Sequence, residues 1–189
     1  MRRLFTLLVA LPILLCLYSG IAAAALIEPT RAALIATDEG YALSANFTID
    51  LGPRVEEAVT HGVPLYFNLE LEVTRPRAYW VDEHVLSHTL TYRLSYNALT
   101  RQYRLATGSL HRSFDSLPDA LRAMGRISAL PIADKSRFKA GYSYQAALRL
   151  GLDRGLLPKP FQLDAIISRD WQIEARVLQW LSKPAGEAE

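Results

Sequence analysis

The chain has 189 residues, half of them hydrophobic and 10% aromatic, with 21 Lys and Arg against 19 Asp and Glu. That is too apolar for a disordered chain, and a balanced charge without a basic cluster argues against a nucleic-acid binder. The length suits one domain, or at most two small ones.

The first segment has its own pattern. Arg2 and Arg3 precede an uncharged run from Leu4 to Ile27, which ends in the small residues Ala22 to Ala25. This is the charged, apolar, small-residue order of a secretory signal peptide, predicted over residues 1–24. Pro12, Gly20 and the alanines favour cleavage. The alternative is an uncleaved anchor, since about 20 apolar residues span a bilayer. Either way the remainder is expected to be exported: periplasmic, or anchored in the inner membrane and facing the periplasm. Without Arg2 and Arg3, 19 basic residues remain against 19 acidic ones, so the mature charge is zero. The one cysteine, Cys16, lies in this leader behind Leu15, which does not suit a lipidation signal. The exported part then has no thiol chemistry and no disulfide, and its core must hold it together.

From Tyr41 the residues alternate. Tyr41, Leu43, Ala45, Phe47, Ile49 and Leu51 share one side, and Ser44, Asn46, Thr48 and Asp50 the other. This is a strand with one dry and one wet face. Asp38-Glu39-Gly40 predicts a tight turn joining it to a shorter strand around Ala32–Ala36. Pro53 at a first helical position and Gly62 just past the end bracket a short helix, with His61 at its C-terminus suited by the helix dipole. Leu65, Phe67, Leu69, Leu71 and Val73 make the next strand. Leu86 to Tyr96 makes another, and Asn97 to Thr100 turns it into a strand through Tyr103–Leu105. Ser116, with Asp119 three residues on, predicts the cap of a second helix that carries Leu117, Ala120, Leu121, Met124 and Ile127 and stops before Pro131. Tyr142 to Leu152 alternates again, and Trp171–Val177 does so less clearly. One-faced strands joined by short turns pair antiparallel. About eight of them predict a mainly β, two-sheet sandwich, immunoglobulin-like in general architecture, with two short helices. The expected organisation is a single domain over 25–181 and a disordered tail over 182–189.

Catalytic chemistry finds little support. The sequence has no G-x-S-x-G, S-x-x-K or H-E-x-x-H motif and no glycine-rich phosphate loop. Asp82-Glu83-His84 with His88 is the most metal-like group. On a strand, however, four residues separate the two histidines by about 13 Å, too far for two ligands that each approach zinc within about 2.1 Å. His88 is expected to pack inward between Leu86 and Leu90. No catalytic residue, metal site or cofactor is assigned.

Two segments break the periodicity. Pro76-Arg77-Ala78-Tyr79-Trp80 follows a strand with the residue types of binding hot spots. The favoured expectation is a bulge or crossing that tucks Trp80 into the core; the functional reading is a partner contact. Leu157-Pro158-Lys159-Pro160-Phe161-Gln162 is expected to be an extended or turning loop held by its prolines. It runs on to Ser168-Arg169-Asp170-Trp171, where an Arg169–Asp170 pair would orient Trp171. The favoured expectation is a plug in which Phe161 and Trp171 close one end of the sandwich. Arg77, Tyr79, Trp80, Lys159, Phe161, Arg169, Asp170 and Trp171 are therefore the candidate partner-binding residues.

The run from Thr91 to Leu105 resembles a signature of an uncharacterised proteobacterial family, domain of unknown function 4390. Ser113-Phe114, Leu157–Phe161 and Ser168–Trp171 resemble the same family, so the likeness spans nearly the whole exported part. It carries over no activity and no catalytic residue. Its genes often lie beside those of a nitrogen-regulation-type sensor kinase and a ribosomal RNA methyltransferase. The resemblance thus implies an envelope role near the sensor's periplasmic region. The expectation is a non-catalytic exported accessory domain that binds a membrane or envelope protein, not nucleic acid. It would meet the membrane only through its N-terminal segment, and only if that segment is uncleaved. The alternatives are a carrier of a small apolar ligand between the sheets and an unrecognised hydrolase.

Overall fold

A computed structural model describes residues 26–139 and 141–182. The expected leader or anchor, and residues 183–189 of the expected tail, lie outside the described residues; Ser182 itself ends a strand. Among the described residues, nine strands form two antiparallel sheets. They are β1 (Leu26–Ala36), β2 (Gly40–Asp50), β3 (Leu65–Arg75), β4 (Glu83–Asn97), β5 (Gln102–Thr107), β6 (Leu110–Phe114), β7 (Arg126–Asp134), β8 (Tyr144–Leu152) and β9 (Leu178–Ser182). The small sheet has the order β1-β2-β7, and the large sheet β6-β5-β4-β3-β8-β9. The protein is mainly β, with the general two-sheet architecture of immunoglobulin domains, although β3 to β6 run as a simple meander.

The alternation explains the core. Leu65, Phe67, Leu69, Leu71 and Val73 of β3 are buried, as are Tyr144, Ala146, Leu148, Leu150 and Leu152 of β8. Leu69 stands opposite Leu90 and Leu150, and Leu71 opposite His88 and Leu148, so the inner face is continuous across three strands. Leu43, Ala45 and Phe47 of β2 are buried with them in the same core. Glu70, Glu72, Thr91 and Arg149 occupy the other face, towards water.

Among the described residues there are three α-helices, one more than expected: α1 (Gly52–Thr60), α2 (Leu117–Gly125) and α3 (Lys159–Ile167). α1 has its proline in the first turn, and Gly62 closes its end with φ +92°. α2 is capped as the sequence predicts, Ser116 Oγ accepting from the Asp119 N–H at 3.3 Å. It stops at Gly125 because the chain crosses β2 there: a Cβ on Gly125 would lie 2.3 Å from the Phe47 carbonyl oxygen. Ile127, expected on this helix, belongs to β7. Pro131 also lies in β7, which tolerates it as an edge strand.

The third helix corrects the reading of Leu157–Gln162 as an extended or turning loop. Pro158 is the N-cap residue and Pro160 lies in the first turn. There the missing N–H is no loss and the fixed φ suits a helix. Trp171–Val177 is likewise not a strand. Trp171 ends a 3-10 turn, isolated bridges tie Glu174 to Gly151 and Ala175 to Ile27, and β9 starts only at Leu178.

Candidate functional site

The strand registers place the eight candidate residues at two opposite ends. Arg75 pairs with Glu83 and Thr74 with Gln145, so the β3–β4 loop stands at one end. Leu65 pairs with Leu94 and Phe67 with Leu152, so the chain that follows β8 stands at the other. Eleven residues of β3 separate the ends by about 35 Å at about 3.3 Å per residue.

Arg77, Tyr79 and Trp80 lie in the β3–β4 loop. Arg75 and Arg77 both donate to Glu83 Oε2, the latter at 2.5 Å. The Arg77 N–H approaches Asp82 Oδ1 at 3.4 Å. The Arg75 guanidinium also lies 4.7 Å from the centre of the Tyr142 ring. These contacts pin the neck of the loop. The hydrogen bond from Arg77 is the largest influence on the Glu83 carboxyl; desolvation opposes it, and the hydrogen bond and charge of Arg75 help to hold the carboxyl below its ordinary pKa. Beyond the neck, Tyr79 is 93% exposed, Trp80 81% and Val81 90%. Trp80 is therefore not tucked into the core as expected. Pro76 has no N–H to extend the ladder, and the core at this end is already closed by Tyr41, Phe138 and Tyr144, with ring centres 4.4 and 5.0 Å apart.

The other five residues belong to α3 and the turn after it. Trp171 is 1% exposed and Phe161 packs edge-on against it at 5.7 Å, so this pair does close the end. Trp171 Nε1–H donates to Asp164 Oδ2 at 2.8 Å. Asp164 in turn accepts from Arg54 of α1, with Nη2 2.9 Å from both carboxylate oxygens. The expected Arg169–Asp170 pair is not present. Asp170 accepts from Ser168 Oγ at 2.8 Å and lies 3.7 Å from Arg54, while Arg169 is exposed. Asp164 orients the indole, because it is on the helix that faces it. Trp171 is thus buried as the end plug, and Lys159, Arg169 and Asp170 remain at the surface.

Sequence reasoning missed the apolar residues Leu163, Ile166 and Ile167 of α3, exposed by 68%, 76% and 86%. Their spacing of three and four residues was legible, but only once the prolines were read as a helix start.

The metal-like group does not assemble. A bulge between the pairs Val73–Leu86 and Thr74–His84 turns His84 outward, whereas His88 faces in. Among the described residues no three His, Cys, Asp or Glu side chains converge on a metal position. His88 Nε2 and Trp180 Nε1 are buried nitrogens without a hydrogen-bond partner there. On the outer face of the large sheet an open polar hollow is lined by Asn68, Glu70, Arg149, Asp153 and Glu174. Arg149 donates to Glu70 at 2.7 Å, and Asn68 to Asp153 at 3.0 Å, so the hollow's main polar groups satisfy one another. Among the described residues no helix is long and apolar enough to cross a membrane.

No curated protein and no solved structure matches the chain. A family model does match, over residues 24–181, which takes in both sheets and both ends of the sandwich. The chain belongs to the family described as domain of unknown function DUF4390.

Proposed function

We propose that the protein is a non-catalytic exported domain that binds a membrane or envelope protein through the tip of its β3–β4 loop. The observation that carries this reading is the row Tyr79, Trp80 and Val81, three large apolar side chains more than 80% exposed on a loop with a pinned neck. Water gains little from such a row, and a partner pocket gains a great deal. Aromatic anchors supply contact area at low entropic cost, and the pinned neck reduces what must be ordered on binding. The tip is electrically neutral, with Arg75 and Arg77 against Asp82 and Glu83. It therefore suits an apolar pocket rather than a charged surface. The family resemblance makes the periplasmic region of a sensor kinase the first partner to try.

The test is crosslinking in cells, followed by recovery of the protein from the envelope. One enriched membrane protein, lost with Trp80→Ala and Tyr79→Ala while the melting temperature stays unchanged, is the expected result. Equal enrichment with both variants would overturn the tip as the contact. A small molecule retained in native mass spectrometry would instead favour a carrier, with His88 Nε2 and Trp180 Nε1 as the inner-face groups that need a partner.

A further inference from the structure

Helix α3 is apolar on two sides. Ala165 is buried and Phe161 meets Trp171, so that side closes the core. At about 100° per residue, Leu163, Ile166 and Ile167 form a stripe on another side, with Lys159 at its head. A helix that is apolar all round is ordinarily buried, yet this stripe is the most exposed part of the element. Leu156, in the turn just before the helix, is exposed as well.

The course of the chain indicates what covers the stripe. β1 enters the sandwich at this same end. Leu26 stands opposite Asp50, and Ile27 bridges Ala175. Asp50 accepts from the Gly52 N–H at the start of α1, and Arg54 of α1 grips Asp164 of α3. Leu26 is itself about half exposed and is continuous with the uncharged run that begins at Leu4. That run is 24 residues long with two arginines ahead of it, enough to span a bilayer. Around the stripe, Lys159, Arg154 and Arg169 are exposed and make no ion pair among the described residues. They suit anionic headgroups.

We propose that the Leu163–Ile166–Ile167 face of α3 rests in the headgroup and acyl boundary of a bilayer, beside a retained N-terminal anchor. The proposal rests on the reading of Leu4–Ile27 as an anchor. It adds an orientation: the sandwich stands on its α3 end, and the Tyr79–Val81 tip is held about 35 Å from the membrane. Interfacial helices of this kind bury an aliphatic stripe and keep basic residues at its margin.

The experiment uses the full chain with Cys16→Ser, reconstituted into phosphatidylethanolamine–phosphatidylglycerol vesicles. A bimane label is placed at Ile166→Cys or, for comparison, at Val81→Cys. Flotation with the vesicles reports on the anchor, and quenching reports on the helix. The expected result is flotation of both proteins, with quenching by doxyl-labelled lipid several-fold greater at position 166 than at 81, and the reverse order with aqueous iodide. Flotation with equal quenching at the two positions would overturn the helix contact and leave the anchor standing. Failure to float would overturn both. A disulfide between Cys16 and Ile166→Cys would assign the stripe to the chain's own N-terminal segment. An Ile166→Cys disulfide dimer in the Cys16→Ser background would assign it to a second copy. Either crosslink overturns the bilayer contact.

Discussion

At one end of the sandwich Trp80 is 81% exposed at the tip of a seven-residue loop; at the other, Trp171 is 1% exposed beneath a helix. Both segments combine proline, basic residues and aromatics. They differ in what lies under them. The loop end is sealed by Tyr41, Phe138 and Tyr144, so the loop has nothing to cover. The α3 end lacks such a seal, and Phe161 and Trp171 become it. An aromatic residue beside a proline therefore reports a need for an anchor, and the unfilled end of the core decides whether the anchor is internal.

The sharpest way to break this contrast is to truncate each indole. Trp171→Ala leaves a cavity under α3, where Asp164 keeps only its Arg54 partner, and should cost about 3–5 kcal/mol in denaturant unfolding. A cost near zero would move Trp171 to the surface class. Asp164→Ala should cost less, about 1–3 kcal/mol, because it removes the acceptor of a buried indole N–H. The exposed pair with Arg54 adds little to that. Asp164→Asn keeps an acceptor oxygen and should recover most of the loss. Trp80→Ala should change stability by no more than about 0.5 kcal/mol while abolishing the partner crosslink. A large loss of stability there would return Trp80 to the core.

The smallest effect is expected at the neck of the loop. The folded pKa of Glu83 lies below its unfolded value, so its contribution is complete above the ordinary carboxylate value of about 4.3. It is lost as the pH falls through the lowered folded value. The protection of the Arg77 amide, corrected for the intrinsic exchange rate, should therefore fall as the pH falls through that lowered value, and Glu83→Gln should show the reduced protection already at pH 7. No pH dependence in the wild-type protein would mean that Pro76 and the turn, rather than the ion pairs, hold the neck.

Much of the fold was legible along the chain. The burial of alternate residues in β3 and β8, the tight turn before Gly40 and the Ser116 cap are local patterns, and each is present. What was not legible depended on neighbours distant in sequence. Pro131 reads as a helix stop, yet it is accommodated in β7 because β7 has no partner on its outer side among the described residues. Pro158 and Pro160 read as a loop, yet they start a helix because Ala165 and Trp171 have the open end of the core to cover. The bulge that separates His84 from His88 arises from a shift in register against β3, which a one-strand pattern does not contain.

The candidate site divides in the same way. Residue types marked both segments as unusual, and that much follows from composition against period. The sequence by itself determined a mainly β chain, its dry faces and its two aromatic segments, because period and capping are properties of neighbouring residues. Only the tertiary structure decided which tryptophan is a seal and which is a tip, and that an aliphatic stripe stands beside the chain's entry. Exposure is a relation between surfaces brought together by folding, and no local pattern encodes it.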